Sequence, residues 1–457
     1  MNLDEKILNF FPPEVVVRKD LAREKRIDKL PRYISEYLIA KFGRDDDLTT
    51  VYEIVEKYFV YPDEKEKYLS ELMEQGFIYI IDEFRVRVDI KRQTYKLVIP
   101  SLNVSDALVD HSLLGEHEKL LLGGVWGLGK LVYIRGHLDE STSPIILVEL
   151  TPFQVSHIDL SQFIDARYEF SLNEWIDLLM RTLGLNPDKY SFEQKILIIS
   201  RLIPLVEPNV YMTELGPKGT GKTSIYRNVS PYVRIISGGK ISPAILFYNI
   251  GRKLVGLLGL KDVIVFDEIS KVKLYSGDEI VAKLKDYMST GIFERGDREF
   301  ISFSSLVFIG NITIGEDGLP VSENLFMVFP KEFRDPAFID RIHGMLPGWR
   351  IPKIGTSQEY LAKGYGLVMD YFAEILHRLR SKQYNIDISS YRKNDWTIRD
   401  EIALEKLIKG IMKILFPHEE YTSSEFNTVF EIIKNYRQII VDQLHIIDPG
   451  EFKLKKL

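Results

Sequence analysis

The spacing of apolar residues changes along the chain and separates helical from extended stretches. Within residues 1–75, the segments ISEYLIAKF and YLSELMEQ carry apolar residues three and four positions apart, which predicts amphipathic helices. Over residues 76–165 apolar and polar residues alternate, with Arg85 and Arg87 at polar positions. Alternation predicts strands with one solvent-facing side, and several such short strands indicate a small barrel or sandwich.

The second half of the chain predicts a parallel sheet with crossover helices. After the helical segments SLNEWIDLLMRTLGL and SFEQKILIISRLIPLV, helical stretches alternate with the apolar runs VYMTELG, VRIISGG, DVIVFDE and SLVFIGN. Buried parallel strands have such continuous apolar runs. We therefore predict an α/β core over residues 166–352 and a helical region over residues 353–457.

Composition favours a folded protein without membrane spans or disulfides. Hydrophobic residues make up 45% and charged residues 28% of the chain, and there are no cysteines. No apolar run reaches the roughly 20 residues of a membrane span, and the N-terminus lacks the order of a secretory signal. We expect a cytoplasmic protein with no membrane partner. Because the net charge is −6, binding to nucleic acid would depend on local basic patches.

The segment GPKGTGKT predicts a phosphate-binding loop between a strand and a helix. Gly216 and the residues up to Thr223 fit the pattern G-x-x-x-x-G-K-[ST]. Backbone amides of such a loop surround phosphates, Lys222 offers a positive charge, and the Thr223 hydroxyl ligates Mg²⁺. We therefore predict ATP and Mg²⁺ as cofactors. The predicted nucleotide-binding residues are Gly216, Pro217, Lys218, Gly219, Thr220, Gly221, Lys222, Thr223 and Ser224.

Two further strand ends add polar residues to the predicted site. VIVFDE ends in Asp267 and Glu268, at the strand end where parallel sheets bind ligands. We expect Asp267 to hold Mg²⁺ with Thr223, and Glu268 to polarise the attacking water. SLVFIGN ends in Asn311, whose amide can position that water. A structural role at a strand end remains the alternative for these residues.

A candidate arginine follows the predicted sheet. PAFIDRIHG places Arg341 on a predicted apolar helix, where it can act as an arginine finger on a neighbouring subunit's nucleotide. An intrahelical ion pair is the alternative. With the helical lid that follows, the order of the candidate residues resembles that of an AAA+ ATPase: Lys222, Thr223, Asp267, Glu268, Asn311 and Arg341. The resemblance implies a ring, because an arginine finger acts across a subunit interface.

Longer segments narrow the resemblance to one family. DEKILNFFPPEVVVRKDL, KLLLGGVWG, ELGPKGTGKTSIYRNVSP and FIDRIHGMLPGWRIPK resemble the BrxL family, the Lon-related AAA+ proteins of BREX phage-defence systems. The likeness covers nearly the whole chain. Longer family members continue into a Lon-like domain with a serine–lysine dyad, so we expect an ATPase without protease activity.

The family resemblance implies an architecture similar to that of minichromosome maintenance (MCM) helicases. It implies an N-terminal helical domain (1–75), an OB-like barrel (76–165), an AAA+ core (166–352) and a helical lid (353–457). It also implies homo-hexamers that can pair around duplex DNA, with other BREX components as partners. In the lid, DWTIRDEIALEKLIKGIMKIL resembles a sensor-2 helix and implies a catalytic role for Arg399, with an ordinary exposed arginine as the alternative.

Basic segments in three places are candidates for DNA contact. OB-type barrels bind nucleic acid along a basic face with stacking aromatics. The barrel candidates are Arg85, Arg87, Lys91, Arg92, Tyr95 and Lys96. GIFERGDREFISFSS (291–305) predicts a hairpin where MCM proteins carry a pore hairpin, so Arg295 and Arg298 are further candidates. VRKDLAREKR (17–26) is either a DNA contact or a solvated helix, and a solvated face is also the alternative for the barrel.

The favoured function is an ATP-driven DNA-binding ring that restricts phage DNA by encircling duplex or translocating on it. Two alternatives remain open: an AAA+ protein unfoldase, and a slow regulatory or scaffold ATPase. An unfoldase often threads its substrate with an aromatic pore loop. The nearest match is LFYNIG (246–251), in which Phe247 and Tyr248 are predicted to be core residues.

Overall fold

The chain forms two compact units, as the computed structural model shows. One unit comprises residues 13–157, and the other comprises residues 1–12 and 158–457. The structure describes residues 1–457 except 28, 44–46, 90–92, 118, 123, 138, 140, 154–157, 252, 297 and 355–357.

The first helix, α1 (Leu3–Phe10), belongs to the larger unit, whereas the N-terminal helices that follow it belong to the unit of residues 13–157. Phe10 and Phe11 at its end pack against the ring of Phe170 at centroid distances of 6.3 and 6.2 Å. This aromatic contact explains why the helical segment over residues 1–75 is divided between the two units.

Residues 13–157 contain a closed five-stranded barrel, with three α-helices before it and two between two of its strands in the described part of the chain. The helices are α2 (Arg32–Phe42), α3 (Thr49–Tyr58), α4 (Lys65–Gln75), α5 (His111–Glu116) and α6 (Lys119–Leu122). The strands are β1 (Val16–Arg18), β2 (Phe77–Asp89), β3 (Thr94–Ile99), β4 (Val104–Val109), β5 (Val125–Tyr133) and β6 (Ile145–Pro152). The barrel order is β2-β3-β4-β6-β5, and β5 pairs back with β2. The period-two pattern predicted a barrel or a sandwich, and the structure has the barrel. Phe84 and Val86 are buried, while Arg85 and Arg87 are exposed, as the alternation predicted.

The larger unit is built around a five-stranded parallel sheet. Its remaining helices are α7 (Leu160–Arg167), α8 (Leu172–Thr182), α9 (Phe192–Ile199), α10 (Ile203–Val206), α11 (Lys222–Val229), α12 (Pro243–Leu246), α13 (Gly277–Thr290), α14 (Pro336–Ile339), α15 (Met369–Ser381), α16 (Ile398–Leu415) and α17 (Ser423–Ile447). Its strands are β7 (Tyr211–Gly216), β8 (Val233–Ile241), β9 (Tyr248–Asn249), β10 (Leu254–Val255), β11 (Val263–Leu274), β12 (Ile292–Arg295), β13 (Arg298–Ile301), β14 (Ser305–Asn311), β15 (Gly344–Pro347) and β16 (Tyr365–Leu367).

The sheet order is β15-β7-β14-β11-β8, and each neighbouring pair is parallel. The four predicted apolar strands are confirmed as β7, β8, β11 and β14. β15 was not predicted, because a four-residue segment with glycine and proline at its ends carries no clear strand pattern. Since β7 lies inside the sheet, its carboxyl end has a strand end on each side.

The last helices are joined to the sheet by a buried ionic network. Arg437 on α17 is almost fully buried and donates to Asp340 at 2.8 Å and to Asp400 on α16 at 2.9 Å. Because both carboxylates flank one guanidinium, α16 and α17 are fixed to the segment that leads into β15. Within the described residues, no helix is long and apolar enough to cross a membrane.

Candidate functional site

A glycine-rich loop joins the carboxyl end of β7 to α11. Gly219 and Gly221 have φ angles of +86° and +74°, in the left-handed region that favours glycine. A Cβ on Gly216 would lie 2.6 Å from the backbone of Gly348, which follows β15. Both the turns of the loop and its close approach to a neighbouring strand end therefore require glycine.

Lys222 and Thr223 lie in the first turn of α11 and face different partners. Nζ of Lys222 donates to the carbonyl oxygens of Gly216 at 3.2 Å and Pro217 at 2.5 Å. Burial lowers the pKa of the Lys222 ammonium. The Thr223 hydroxyl instead donates to Oδ1 of Asp267 at 2.9 Å. The first turn of α11 thus presents an ammonium to the loop and a hydroxyl to the sheet.

Asp267 and Glu268 follow four fully buried residues of β11. Asp267 accepts the Thr223 bond and also the backbone N–H of Glu268 at 3.0 Å. Glu268 has φ of +48°, and its partly exposed carboxylate accepts from Lys271 at 2.9 Å. Its salt bridge with Lys271, reinforced by the charge of Lys218, lowers the pKa of the Glu268 carboxyl. Glu268 is therefore a carboxylate in neutral solution.

Asn311 ends β14 and lies directly opposite Gly216 in the register of the two strands. Asn311, Lys218 and residues 312–315 line a common cleft of about 700 Å³. The structure thus brings Lys222, Thr223, Asp267 and Asn311 to the same side of the sheet. Asn311 ends its strand as predicted. The expectation that Asp267 and Glu268 end theirs was wrong, because β11 continues to Leu274 past an irregularity in its pairing with β8.

Arg341 is not on a helix, and that prediction was wrong. α14 is a single turn that ends at Ile339, and the backbone N–H of His343 already bonds to Tyr211 of the sheet at 2.7 Å. Nε of Arg341 donates to the Ser289 hydroxyl at 2.8 Å. No hydrogen bond or ion pair of Arg341 with a carboxylate is found among the described residues, so the intrahelical ion pair is not observed either.

Arg399 lies in the first turn of α16, as predicted, with Thr397 as the helix cap. Its guanidinium donates to Asp340, and its side chain is 48% exposed. Asp340 directly precedes Arg341, so the two arginines lie near each other. Within the described residues, neither arginine has a hydrogen bond to the glycine-rich loop.

Some of the barrel residues predicted to contact DNA already bond to other groups of the chain. Arg85 pairs with Glu83, and Lys96 donates to the Ser141 carbonyl at 3.1 Å. The Tyr95 ring packs edge-on against His111 at 5.3 Å. Arg87 is exposed opposite Lys96 in the strand register. Lys91 and Arg92 lie outside the described residues.

The predicted hairpin at 291–305 is confirmed as β12 and β13. Arg298 is exposed, but Nη1 of Arg295 donates to the Tyr248 carbonyl at 2.5 Å. The Arg295 guanidinium is therefore engaged within the chain, whereas Arg298 is exposed. The guanidinium of Arg295 ties this hairpin to β9.

The basic segment 17–26 is not a solvated helix. Lys19 is fully buried and pairs with Glu36, also fully buried, at 2.7 Å. Part of the segment forms the short strand β1, and Leu21–Arg23 form a single 3₁₀ turn. At least one of its cations therefore has a structural role. Phe247 and Tyr248 are buried, as predicted, which leaves the LFYNIG segment without exposed aromatics for a pore loop.

A buried ion pair behind the glycine-rich loop was missed by the sequence reasoning. Arg201 lies after α9 and Glu214 lies within β7, and they form a two-point ion pair with bonds of 2.9 and 2.6 Å. Both side chains are almost fully buried. The available signal was one charge in each of two strongly apolar segments, ILIISRLIPLV and VYMTELG.

A glycine-rich loop between a parallel strand and a helix, followed by lysine and threonine and facing a carboxylate of the same sheet, is the arrangement of the α/β ATPase class. Comparison with known protein families gives the same class. Residues 145–457 match the family described as "Lon-like protease BrxL-like, ATPase domain". Residues 9–133 match "BREX system Lon protease-like protein BrxL N-terminal". The chain belongs to the BrxL family.

Two curated relatives carry the description "Lon-like protease BrxL". The protein from Bacillus cereus (strain H3081.97) is 36% identical over 448 residues, which cover 96% of this chain and 66% of the relative. The protein from Escherichia coli O9:H4 (strain HS) is 35% identical over 447 residues, which cover 96% of this chain and 64% of the relative. The chain thus spans slightly less than two thirds of the length of these relatives.

Proposed function

We propose that the chain hydrolyses ATP with Mg²⁺ as an AAA+ P-loop motor. The observation that carries the proposal is the bond from Thr223 to Asp267 beside the ammonium of Lys222. It places the hydroxyl and carboxylate that suit Mg²⁺ next to a cation that suits phosphate. The sheet order supports the AAA+ assignment, because β14, which ends in Asn311, lies between β7, which leads into the loop, and β11, which carries Asp267.

The donor set fits Mg²⁺ only as a site shared with a nucleotide. Among the described residues there is no group of three or more carboxylate and histidine side chains that could hold a metal alone. Mg²⁺ in phosphoryl-transfer sites needs one or two protein ligands, since phosphates and water supply the rest. Thr223 and Asp267 would hold the ion, which supplies charge neutralisation to the transferred phosphoryl group.

Each remaining side chain has a role that its surroundings favour. Lys222 would bind phosphate oxygens instead of the loop carbonyls. Glu268, a carboxylate kept charged by Lys271, would accept a proton from the attacking water. Asn311 would orient that water from the neighbouring strand end. In the part of the chain that the structure describes, Arg341 and Arg399 bond to Ser289, Ala337 and Asp340 and not to the loop. This supports a role at the nucleotide of an adjacent subunit in a homo-hexameric ring, with or without pairing of two rings.

We propose that the chain binds DNA. Its proposed role is to restrict phage DNA together with other BREX components. The barrel order β2-β3-β4-β6-β5, with α5 and α6 between β4 and β5, supports an OB-like barrel. Arg87 and Arg298 are exposed, which suits contacts with DNA phosphates. The buried aromatics of LFYNIG give the unfoldase alternative no support.

One experiment tests the proposal. ATP hydrolysis by the purified chain is measured with Mg²⁺ alone and then with duplex DNA, single-stranded DNA or an unfolded protein. We expect hydrolysis that duplex DNA stimulates and that Lys222→Ala abolishes, while the control Lys453→Ala, at an exposed position, keeps the wild-type rate. Stimulation by unfolded protein alone would support a remodeller, and slow hydrolysis with no response would support a scaffold ATPase.

A further inference from the structure

The phosphate loop, residues 216–223, is supported from its buried side by one arginine. Arg201 has no exposed side-chain surface, and its Nε and Nη2 bind the two oxygens of Glu214. The same Nη2 donates to the carbonyl oxygen of Thr220 at 3.1 Å. Arg201 therefore connects the strand that enters the loop to the middle of the loop.

The contact with Thr220 sets the direction of one backbone N–H. A trans peptide is planar, so the Thr220 carbonyl and the Gly221 N–H point in opposite directions. Because the carbonyl points to Arg201 on the buried side, the Gly221 N–H points to the open side of the loop. Phosphate loops bind their anion with backbone N–H groups of this kind.

The position of the guanidinium relative to Gly221 gives a second observation. Nη1 of Arg201 is buried and has no hydrogen-bond partner among the described residues. It lies 3.9 Å from the position that a Cβ on Gly221 would take. An uncompensated buried donor is costly, so its position directly beneath the loop requires an explanation. A cation held against the back of an anion-binding loop adds favourable potential at that loop.

We propose that Arg201 is a positioning residue for the phosphate loop: bound to Glu214, it holds the Thr220 carbonyl and thereby aims the Gly221 N–H at the nucleotide phosphates. The inference rests on the proposed nucleotide-binding function. Glu214 has a separate part in it, because its carboxylate balances the charge of Arg201 close to Lys222. Burial lowers the pKa of Lys222, and Glu214 opposes this effect while Arg201 adds to it.

The test compares two buried ion pairs of the same unit. Arg201→Met/Glu214→Leu removes the pair and retains apolar volume, a change that buried pairs often tolerate. The control, Lys413→Met/Glu207→Leu, removes another buried ion pair, in which Nζ of Lys413 and Oε2 of Glu207 are 2.9 Å apart. Neither residue belongs to the loop. Arg201→Lys keeps the charge but loses the planar two-point geometry. ADP affinity is measured by calorimetry, thermal unfolding by its midpoint, and amide hydrogen exchange on the peptide 216–223.

We expect the Arg201→Met/Glu214→Leu variant to bind ADP about 10-fold more weakly, the effect of losing one charge-assisted hydrogen bond. Loop exchange should be faster, and the unfolding midpoint should stay within about 5 °C of wild type. Arg201→Lys should restore part of the affinity, and the control pair should leave ADP affinity and loop exchange unchanged.

If Arg201→Met/Glu214→Leu shows the ADP affinity and loop exchange of the wild type, the positioning role is overturned. An equal loss of ADP affinity in Lys413→Met/Glu207→Leu would overturn it as well. If the double variant does not fold, Arg201→Lys decides by the same measurements, since wild-type values for both would again overturn it. Absence of ADP binding by the wild-type chain would instead refute the proposed nucleotide function.

Discussion

Thr223 and Asp267 are 44 residues apart in the chain and are joined by a 2.9 Å hydrogen bond at the sheet edge. The bond aligns the two side chains that suit Mg²⁺, and the charge resides on Asp267 alone. Asp267→Asn should keep the hydrogen bond and lose the charge. We expect ATP hydrolysis to fall at least about 100-fold, with partial recovery at high Mg²⁺ concentration. A Mg²⁺ titration of the rate checks this, and Asp387→Asn, at an exposed turn, is the control.

Binding and turnover should separate at Lys222 and Glu268. Glu268→Gln should bind ATP normally and lose turnover, because its carboxylate acts on water rather than on the nucleotide. Lys222→Ala should lose ATP binding itself. Calorimetric ATP binding and phosphate release, measured on both variants, distinguish these effects. Turnover at the wild-type rate in Glu268→Gln would rule out Glu268 as the base.

Lys271 should control the acid limit of activity. Because the salt bridge with Lys271 lowers the pKa of Glu268, the carboxylate stays ionised to lower pH than an ordinary glutamate. Activity should therefore decline only as pH falls through this lowered value. Lys271→Ala should raise the Glu268 pKa towards its usual value and move the acid limb of the kcat–pH profile upward. Lys273→Ala, two residues further along the same strand, should leave the profile in place.

Arg341 should act on the nucleotide of an adjacent subunit. Arg341→Ala should abolish hydrolysis and leave ATP affinity nearly unchanged, because its bonds are to Ser289 and Ala337 and not to the loop of its own chain. Mixing Arg341→Ala with Lys222→Ala chains should recover part of the rate, since some interfaces then combine an intact loop with an intact arginine. Co-assembled rings that show no recovery would indicate a structural role within one chain.

DNA affinity should depend on salt through the exposed arginines. Each phosphate contact adds roughly 0.9 to the slope of log affinity against log salt on duplex DNA. Arg298→Ala and Arg87→Ala should each reduce that slope by about 1 and weaken binding regardless of sequence. Arg295→Ala should instead loosen the hairpin, because its guanidinium bonds to Tyr248. Unchanged slopes for Arg298→Ala and Arg87→Ala, with DNA still bound, would direct attention to other cations.

Local patterns predicted the strands of the sheet, the loop and a small barrel or sandwich, because each depends on residues close together in the chain. Features made by distant residues were not predicted. Lys19 looked solvated because it lies in a charged run, yet Glu36 binds it in the interior. Arg201 and Glu214 were not singled out, because they are 13 residues apart in the chain and only the fold pairs them. Arg341 follows a segment with helical spacing, but the chain must turn early to enter β15.

The approach of Gly216 to Gly348 links two segments that are far apart in the sequence. A side chain at residue 216 would meet the Gly348 backbone, and a Cβ on Gly348 would lie 2.9 Å from Glu214 and the Leu215 carbonyl. Neither position can therefore drift alone during evolution without moving β15 away from β7. In a distantly related sequence whose phosphate loop has changed, a glycine directly after the strand equivalent to β15 would help to align that sequence with this one. A designer who repacks this edge of the sheet must treat both glycines as one fixed unit.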